Sequence, residues 1–282
     1  MRSKLVLAYC LIFVSNTVAT QNIPVNQRID LMLLRGEYEK VIDTCRMILD
    51  YDNLDPEIYY RLGIAYLNTL EEDLSLDSFY KANSLNPGNK VYNFMLAKGY
   101  YGKEKYKLAE PILEKLCTID TMNWTYASYL TSIYMHYKKY DDAINIYKRF
   151  LRNDSTNYNL LNKTGFAFLK KGEYEYAEEL YKKSLSLNEK NLVAIKNLAY
   201  LYSAARQSDS AIAILSKGIK IDTTDMVLFS MRAQLNYSRN YNKRALNDYL
   251  IILASGDSSE LHLKRTGICY CNNLQPAKAI TY

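Results

Sequence analysis

The chain has 282 residues, of which 49% are hydrophobic and 23% are charged, and its formal net charge is +6. This composition is typical of a folded globular protein and excludes a wholly disordered chain. Two His and five Cys are too few for a disulfide scaffold or an extensive metal protein, and ten Gly and five Pro disfavour a β-sandwich or barrel, which needs frequent turns.

The first residues have the pattern of an export signal. Arg2 and Lys4 give a positive start, residues 5–14 form a ten-residue apolar run, and residues 17–19 supply the small side chains of a cleavage site. Ten apolar residues are fewer than the roughly 20 that span a bilayer, and no later stretch supplies them. We therefore predict a signal peptide over residues 1–19 and a mature chain over residues 20–282.

Two other outcomes for this segment stay open, namely an uncleaved membrane anchor and lipid attachment at Cys10. Lipid attachment is disfavoured because Tyr9 is bulky where lipidation signals need a small residue. Removal of Arg2 and Lys4 leaves 34 basic against 30 acidic residues, with no run of five or more like charges. This is not the basic stripe of a nucleic-acid-binding protein, so the sequence predicts no nucleic-acid partner. The export signal predicts a periplasmic or extracellular protein.

A 34-residue step links two columns of similar residues. The alanine column consists of Ala109, Ala143, Ala177, Ala211, Ala245 and Ala279. The aromatic column consists of Tyr66, Tyr100, Tyr134, Phe168, Tyr202 and Tyr270, and Asn236 interrupts it. Because 34 residues hold two helices of about 13 residues and two short turns, the step predicts one helix pair per repeat.

Residues 56–89 show the pattern of one such pair. Leu62, Gly63 and Tyr66 belong to a one-sided helical stripe, and residues 86–89 (Asn-Pro-Gly-Asn) close the second helix with turn-forming side chains. Small residues such as Gly63 and the alanine column are expected where two helices cross closely, because a larger side chain would force the helices apart.

With Leu62-Gly63-Tyr66 in a first helix and Phe79-Ala82-Pro87 in a second, the chain resembles the tetratricopeptide-repeat family. The resemblance covers essentially the whole mature chain. It implies an all-α fold, a right-handed superhelical α-solenoid of antiparallel helix pairs. On the 34-residue step, the repeats are expected to begin near Asn22, Pro56, Lys90, Trp124, Tyr158, Leu192, Met226 and Glu260, the last repeat being incomplete.

Some repeats depart from the family pattern. The repeat from Asn22 has Arg28 and Ile29 where a large and a small residue are expected, which is typical of a degenerate capping repeat. Pro111 lies a few residues into a predicted second helix and is expected to delay or kink it. The helix over residues 261–271 is expected to close the stack.

No catalytic or metal-binding motif is found in the chain. H-E-x-x-H, G-x-S-x-G and the P-loop pattern are all absent, and neither His136 nor His262 has a paired Cys nearby. The sequence therefore predicts a protein that is not an enzyme and has no cofactor and no metal ion. Cys45 and Cys117 are expected to be small core residues, and Cys269 and Cys271 lack the spacing of a redox motif. The disulfide state of these four cysteines is left open.

The resemblance also implies where a ligand would bind. In the family, the second, fifth, ninth and twelfth places of each repeat face the concave groove, with the sixth at its edge. The carboxylate-clamp subtype of the family has Lys and Asn at the fifth and ninth places of one repeat. Here Lys196 occupies a fifth place but Tyr200 occupies the ninth, so the binding mode of that subtype is not assigned to this chain. The alternative for these positions is a solvated face without a ligand. The candidate peptide-groove residues are Tyr60, Phe94, Lys98, Asn162, Lys163, Lys196, Asn197 and Tyr200.

The function that follows is a non-enzymatic protein–protein interaction scaffold or adaptor of the bacterial cell envelope. It would bind an extended or helical protein segment in its concave groove. The alternative is a structural subunit of an envelope complex that assembles, or self-associates, through solenoid ends or the convex face, because apolar residues such as Ile268 and Leu274 lie near the last repeat. A hydrolase or transferase is disfavoured by the missing motifs.

Overall fold

The structure is a computed structural model that describes residues 23–257 and 259–282. The predicted signal segment, residues 1–19, lies outside the described residues. Sixteen α-helices and no β-strand are found over the described ranges. The predicted all-α fold of consecutive helix pairs is therefore confirmed.

Over the described residues, the chain divides into two compact parts, one ending at Ile133 and the other spanning Tyr134–Tyr282, and the boundary falls within one helix. The helices up to and including that helix are α1 (Val25–Leu34), α2 (Tyr38–Leu49), α3 (Pro56–Asn68), α4 (Glu72–Leu85), α5 (Lys90–Gly102), α6 (Tyr106–Ile119) and α7 (Trp124–His136). The remaining helices are α8 (Tyr140–Asn153), α9 (Tyr158–Lys171), α10 (Tyr174–Leu187), α11 (Leu192–Ala204), α12 (Ser208–Ile221), α13 (Met226–Ser238), α14 (Asn242–Ala254), α15 (Glu260–Asn272) and α16 (Pro276–Ala279).

Helices follow the 34-residue step closely. From α3 onward, each odd-numbered helix begins 34 residues after the previous odd-numbered one, and α1 begins at Val25. In the part up to Ile133, α1 to α6 each pack against their neighbours in sequence, and the same is true of α8 to α16 in the other part. Such nearest-neighbour packing is the one-dimensional architecture of helical repeats, in which each pair completes the core of the next. We call the odd-numbered helices first helices and the even-numbered ones second helices.

Most first helices begin at a side-chain cap. A single Asn or Asp immediately before the helix accepts hydrogen bonds from backbone N–H groups of the first turn. Substituting such a cap by Ala costs about 1 kcal/mol, so the cap fixes each start separately. The capping residues are Asp55, Asn89, Asn123, Asn157, Asn191 and Asp225.

Small residues lie at the helix crossings, as the sequence predicts. Five members of the alanine column, Ala109 to Ala245, are 0% exposed, whereas Ala279 is half-buried. A Cβ atom added at Gly63 would lie 2.6 Å from the Phe79 ring, and one added at Gly165 would lie 2.9 Å from the Tyr181 ring. These distances are far below van der Waals contact, so glycine allows each first helix to approach its second helix.

Two features differ from expectation. α6 begins at Tyr106, on the common step, and contains Pro111, so the expected delay of this helix is wrong. Pro111 lies at the sixth position of α6, past the first turn, so its missing N–H removes one bond within the helix without moving its start. Asn236, which interrupts the aromatic column, is 2% exposed, and its Oδ1 has no hydrogen-bond partner. An amide thus occupies a position that six other repeats fill with a ring.

Candidate functional site

The candidate groove residues lie on four first helices and form two sets, one in each part of the chain. Tyr60, Phe94 and Lys98, on α3 and α5, are the N-terminal groove set. The C-terminal groove set lies on α9 and α11, which contact one another directly. It consists of Asn162, Lys163, Lys196, Asn197 and Tyr200.

The aromatic members of the N-terminal groove set are already packed against other rings. The Tyr60 ring lies 5.3 Å from the Tyr92 ring and 6.2 Å from the Phe79 ring, and burial raises the pKa of Tyr60. The Phe94 ring lies 5.0 Å from the Tyr126 ring and 5.6 Å from the Tyr129 ring. Offset and edge-on pairs at these separations stabilise the fold, so Tyr60 and Phe94 offer a ligand only part of their surface.

Beside these rings is a cavity of about 160 Å³ between the end of α3, α4 and α5. Its lining is mostly apolar, with charged side chains around it. Lys98 is exposed. The Lys103 ammonium group lies 3.0 Å from a carboxylate oxygen of Glu72 and 3.0 Å from one of Asp73. These hydrogen bonds, of which the one to Asp73 has the larger effect, raise the pKa of Lys103. The lining residues are Leu67, Glu72, Ser75, Leu76, Phe79, Met95, Lys98, Gly99, Gly102 and Lys103.

Members of the C-terminal groove set differ in how much they offer a ligand. Lys163 and Tyr200 are exposed, Tyr200 by 56%, and Asn197 is half-buried. The Lys196 ammonium group lies 2.8 Å from Oδ2 of Asp225, the residue that caps α13. Asn162 is only 5% exposed, and its Oδ1 has no hydrogen-bond partner.

A second depression of about 510 Å³ lies between α10, α11 and α12. It is shallow and mixed in character, with Leu185, Leu198 and Ile214 between the lysines Lys182 and Lys217. None of the candidate groove residues lines it. The depression therefore gives the C-terminal groove set no enclosed pocket of its own.

One polar cluster was not anticipated from the sequence. His262 Nε2 lies 3.3 Å from Ser230 Oγ, while Nδ1 lies 2.9 Å from Ser259 Oγ and 3.1 Å from Asp257 Oδ2. The residue types are those of an acyl-transfer triad, but Ser230 lies in the second turn of α13, where the helix uses its backbone N–H. These contacts tie the start of α15 to α13.

The other reactive side chains in the described residues are the metal-ligand types and the cysteines. No group of three or more His, Cys, Asp or Glu side chains there could hold a metal ion. Burial raises the pKa of Cys45 to about 12 and that of Cys269 to about 11, so both thiols are protonated at neutral pH. Cys45, Cys269 and Cys271 form no disulfide bond, and Cys271 is exposed. No described helix is both long enough and apolar enough to cross a bilayer.

These features define an α-helical repeat protein with a possible ligand surface on its first helices and without an evident catalytic centre in the described ranges. Residues 168–235 match the family model for the tetratricopeptide repeat. The helix pairs at a 34-residue step agree with this match, and the chain is a tetratricopeptide-repeat protein. No curated protein matches the chain by sequence.

Solved structures with a similar fold are tetratricopeptide-repeat proteins. One from Parabacteroides merdae ATCC 43184 has a TM-score of 0.64 at 19% identity, over 79% of this chain and 89% of its own. The C-terminal part of a protein from Cytophaga hutchinsonii has a TM-score of 0.68 at 16% identity, over 85% and 98%. YrrB, described as having an unusual peptide-binding site, has a TM-score of 0.54 at 17% identity, over 66% and 96%. At these identities the likeness establishes the fold.

Proposed function

We propose that this protein is a non-enzymatic interaction scaffold of the bacterial cell envelope that binds an extended or helical segment of a partner protein on its first helices. The observation that supports this most is the exposure of Lys98, Lys163 and Tyr200 on first helices, where they lie outside the aromatic column, whose rings are buried or half-buried. Side chains that the core does not use are free to select a ligand.

The chemistry of these side chains suits a peptide. The Tyr200 ring offers a large apolar contact at a low conformational cost, and its hydroxyl can donate to a peptide carbonyl. Lysine ammonium groups at 98 and 163 can pair with carboxylates, with a modest gain because both are exposed. The description of YrrB, a protein of similar fold, as having a peptide-binding site is consistent with this use of the architecture.

The test removes exposed groups from the C-terminal groove set without touching the core. The variant Lys163→Ala with Tyr200→Ala should lose most partner recovery in affinity capture from a cell-envelope extract. Lys196 is left unchanged because it pairs with Asp225. The matched control is Tyr176→Ala with Lys190→Ala, two exposed residues that lie off the first helices. Equal recovery by both double variants would refute the proposed face.

Export from the cytoplasm is part of the proposal and rests on residues 1–19 alone. If the segment is a cleaved signal, the protein recovered from a fractionated envelope should begin at Thr20. Mass spectrometry of the intact protein measures this directly. A chain that retains Met1 in a membrane fraction would favour the anchored form, and a lipid mass on Cys10 would favour the lipoprotein.

A second candidate function is assembly through the C-terminal helices. Leu261, Leu274 and Ile280 are exposed there, Leu274 by 91%. Exposed apolar side chains on a helical repeat are the kind of surface that another protein chain covers. Light scattering over a range of concentrations tests self-association, and a constant monomer mass would remove that form of the hypothesis.

A further inference from the structure

The proposed function leaves open what the bound segment looks like, and the cavity between α3, α4 and α5 gives an indication. We infer that this cavity binds one apolar side chain of a partner segment, of leucine or phenylalanine size, and that Lys98 pairs with an acidic residue close to it in that segment. This inference rests on the proposed function and names the chemistry of its ligand.

The volume and lining of the cavity suit an apolar side chain. Its volume is about 160 Å³, and its apolar lining residues include Leu67, Leu76, Phe79 and Met95. A buried apolar cavity of about 150 Å³ is large enough to bind benzene, so a phenyl or isobutyl group fits. Water in such a cavity would find few polar partners, which favours its displacement by an apolar group.

Two glycines of α5 make room for the cavity. A Cβ atom at Gly99 would lie 2.8 Å from Leu76 Cδ1, so no larger residue fits there without a shift. At Gly102 an added Cβ atom would meet no heavy atom within 4 Å. Gly102 also lines the cavity, so a larger side chain at position 102 has open space at this rim.

The charges around the cavity favour an acidic neighbour for the apolar side chain. Among the described residues, no carboxylate lies within ion-pair distance of the Lys98 ammonium group. Glu72 and Asp73 are both held by Lys103, which compensates part of their charge. The unpaired cation at the rim is thus Lys98, and a carboxylate on the ligand complements it.

A small probe tests the site without knowledge of the partner. 3-Phenylpropionate carries a phenyl ring and a carboxylate, and 3-phenylpropanamide is its neutral match. In NMR titrations of the full chain, saturable shifts are expected for the Met95 methyl group and not for Met231, which lies on α13. The acid should bind about threefold tighter than the amide, as expected for an exposed ion pair.

Variants separate the two parts of the inference. Lys98→Gln should abolish the preference for the acid and leave binding of the amide unchanged. Gly102→Leu should weaken both probes by at least about tenfold, because it occupies the space of the ring. Gly88→Leu, placed in an exposed turn away from the cavity, is the matched control and should leave both affinities unchanged. Circular dichroism confirms that each variant is folded.

The outcomes distinguish this inference from the proposed function. If the Met95 methyl group shows no saturable shift, or if Gly102→Leu binds as the wild type does, the inference is overturned. If the acid has no advantage over the amide, the acidic component is overturned. The capture experiment uses residues on α9 and α11, so partner loss there with a silent cavity would leave the proposed function standing. Probe binding without any face-dependent capture would leave a cavity without the proposed function.

Discussion

A single carboxylate on α1 shows how individual residues tie the helix pairs together. Asp30 accepts two hydrogen bonds from the Arg61 guanidinium, at 2.7 and 3.0 Å, and Arg61 also pairs with Glu57 at 2.9 Å. Glu57 in turn accepts a hydrogen bond from the Tyr92 hydroxyl at 2.6 Å. The network spans α1, α3 and α5, and Arg61 is buried, so the loss of either carboxylate would leave a cation with fewer partners.

This network makes stability depend on pH. The hydrogen bond from Arg61 lowers the pKa of Asp30 below its ordinary value of 3.8, so the contribution is fully present above that value and is lost as the pH falls through the folded pKa. Asp30→Asn should reduce the free energy of unfolding by about 1 kcal/mol at pH 6. The difference from wild type should shrink between pH 4 and pH 2. Urea unfolding at each pH measures it, and a constant difference would contradict this account.

At the residue scale the sequence predicts the packing residues well and the ligand residues poorly. The buried alanines and Gly63 follow from the repeat, because the same close crossing recurs in each pair. The groove positions follow from the family pattern, but that pattern does not reveal which side chains the fold itself uses. Lys196 is paired with Asp225, the residue that caps the next first helix, and Asn162 is buried.

At the scale of elements, the turn inside each helix pair has a constant backbone conformation. One residue per turn adopts a positive φ, again at a step of 34 residues, and only two of the eight are glycine. The positions are Gly36, Leu70, Glu104, Lys138, Gly172, Arg206, Asn240 and Leu274. Non-glycine residues in the left-handed region are destabilised by about 1–2 kcal/mol through contact of Cβ with the carbonyl oxygen. Most repeats therefore retain a strained turn that other contacts hold in place.

Leu70 gives a clear test of this strain. Its φ is 65° and its side chain is 83% exposed, so glycine would relieve the strain and lose little apolar contact. Glycine also increases the conformational entropy of the unfolded chain, which offsets part of this gain in stability. On balance, Leu70→Gly should raise the free energy of unfolding by about 0.5–1 kcal/mol. Gly172→Ala, at the same place in a later repeat, should lower it by about 1 kcal/mol. Chemical denaturation measures both, and a loss of stability in Leu70→Gly would contradict the interpretation.

Helix starts were more predictable than this turn. The 34-residue step sets them, and the Asn or Asp caps fix most first helices, whereas α6 begins on the step without a side-chain cap although it contains Pro111. The positive-φ positions of these turns hold too few glycines to be recognised in the sequence, although Gly36, Gly172 and Asn240 share this repeat position. The Ser230–His262 cluster could not be predicted either, because it joins side chains 32 residues apart in different repeats.

At the scale of the whole molecule, the chain is a series of similar pairs, and the proposed function places partner binding on the exposed positions of the first helices. The repeat requires the alanine and aromatic columns, so selection of a partner must act on the other exposed positions. This is why two tyrosines with nearly equal exposure are expected to behave differently. Tyr200 lies on α11, a first helix, and is 56% exposed, whereas Tyr176 lies on α10, a second helix, and is 58% exposed.

Photo-crosslinking at these two positions tests the central claim most directly. p-Benzoylphenylalanine is placed at Tyr200 in one protein and at Tyr176 in another, and each is irradiated in the cell-envelope extract of its source. We expect a covalent adduct with one protein partner from position 200, mapped by mass spectrometry to a single segment, and little or none from position 176. Equal yields from both positions, or an adduct from position 176 alone, would contradict partner binding on the first helices.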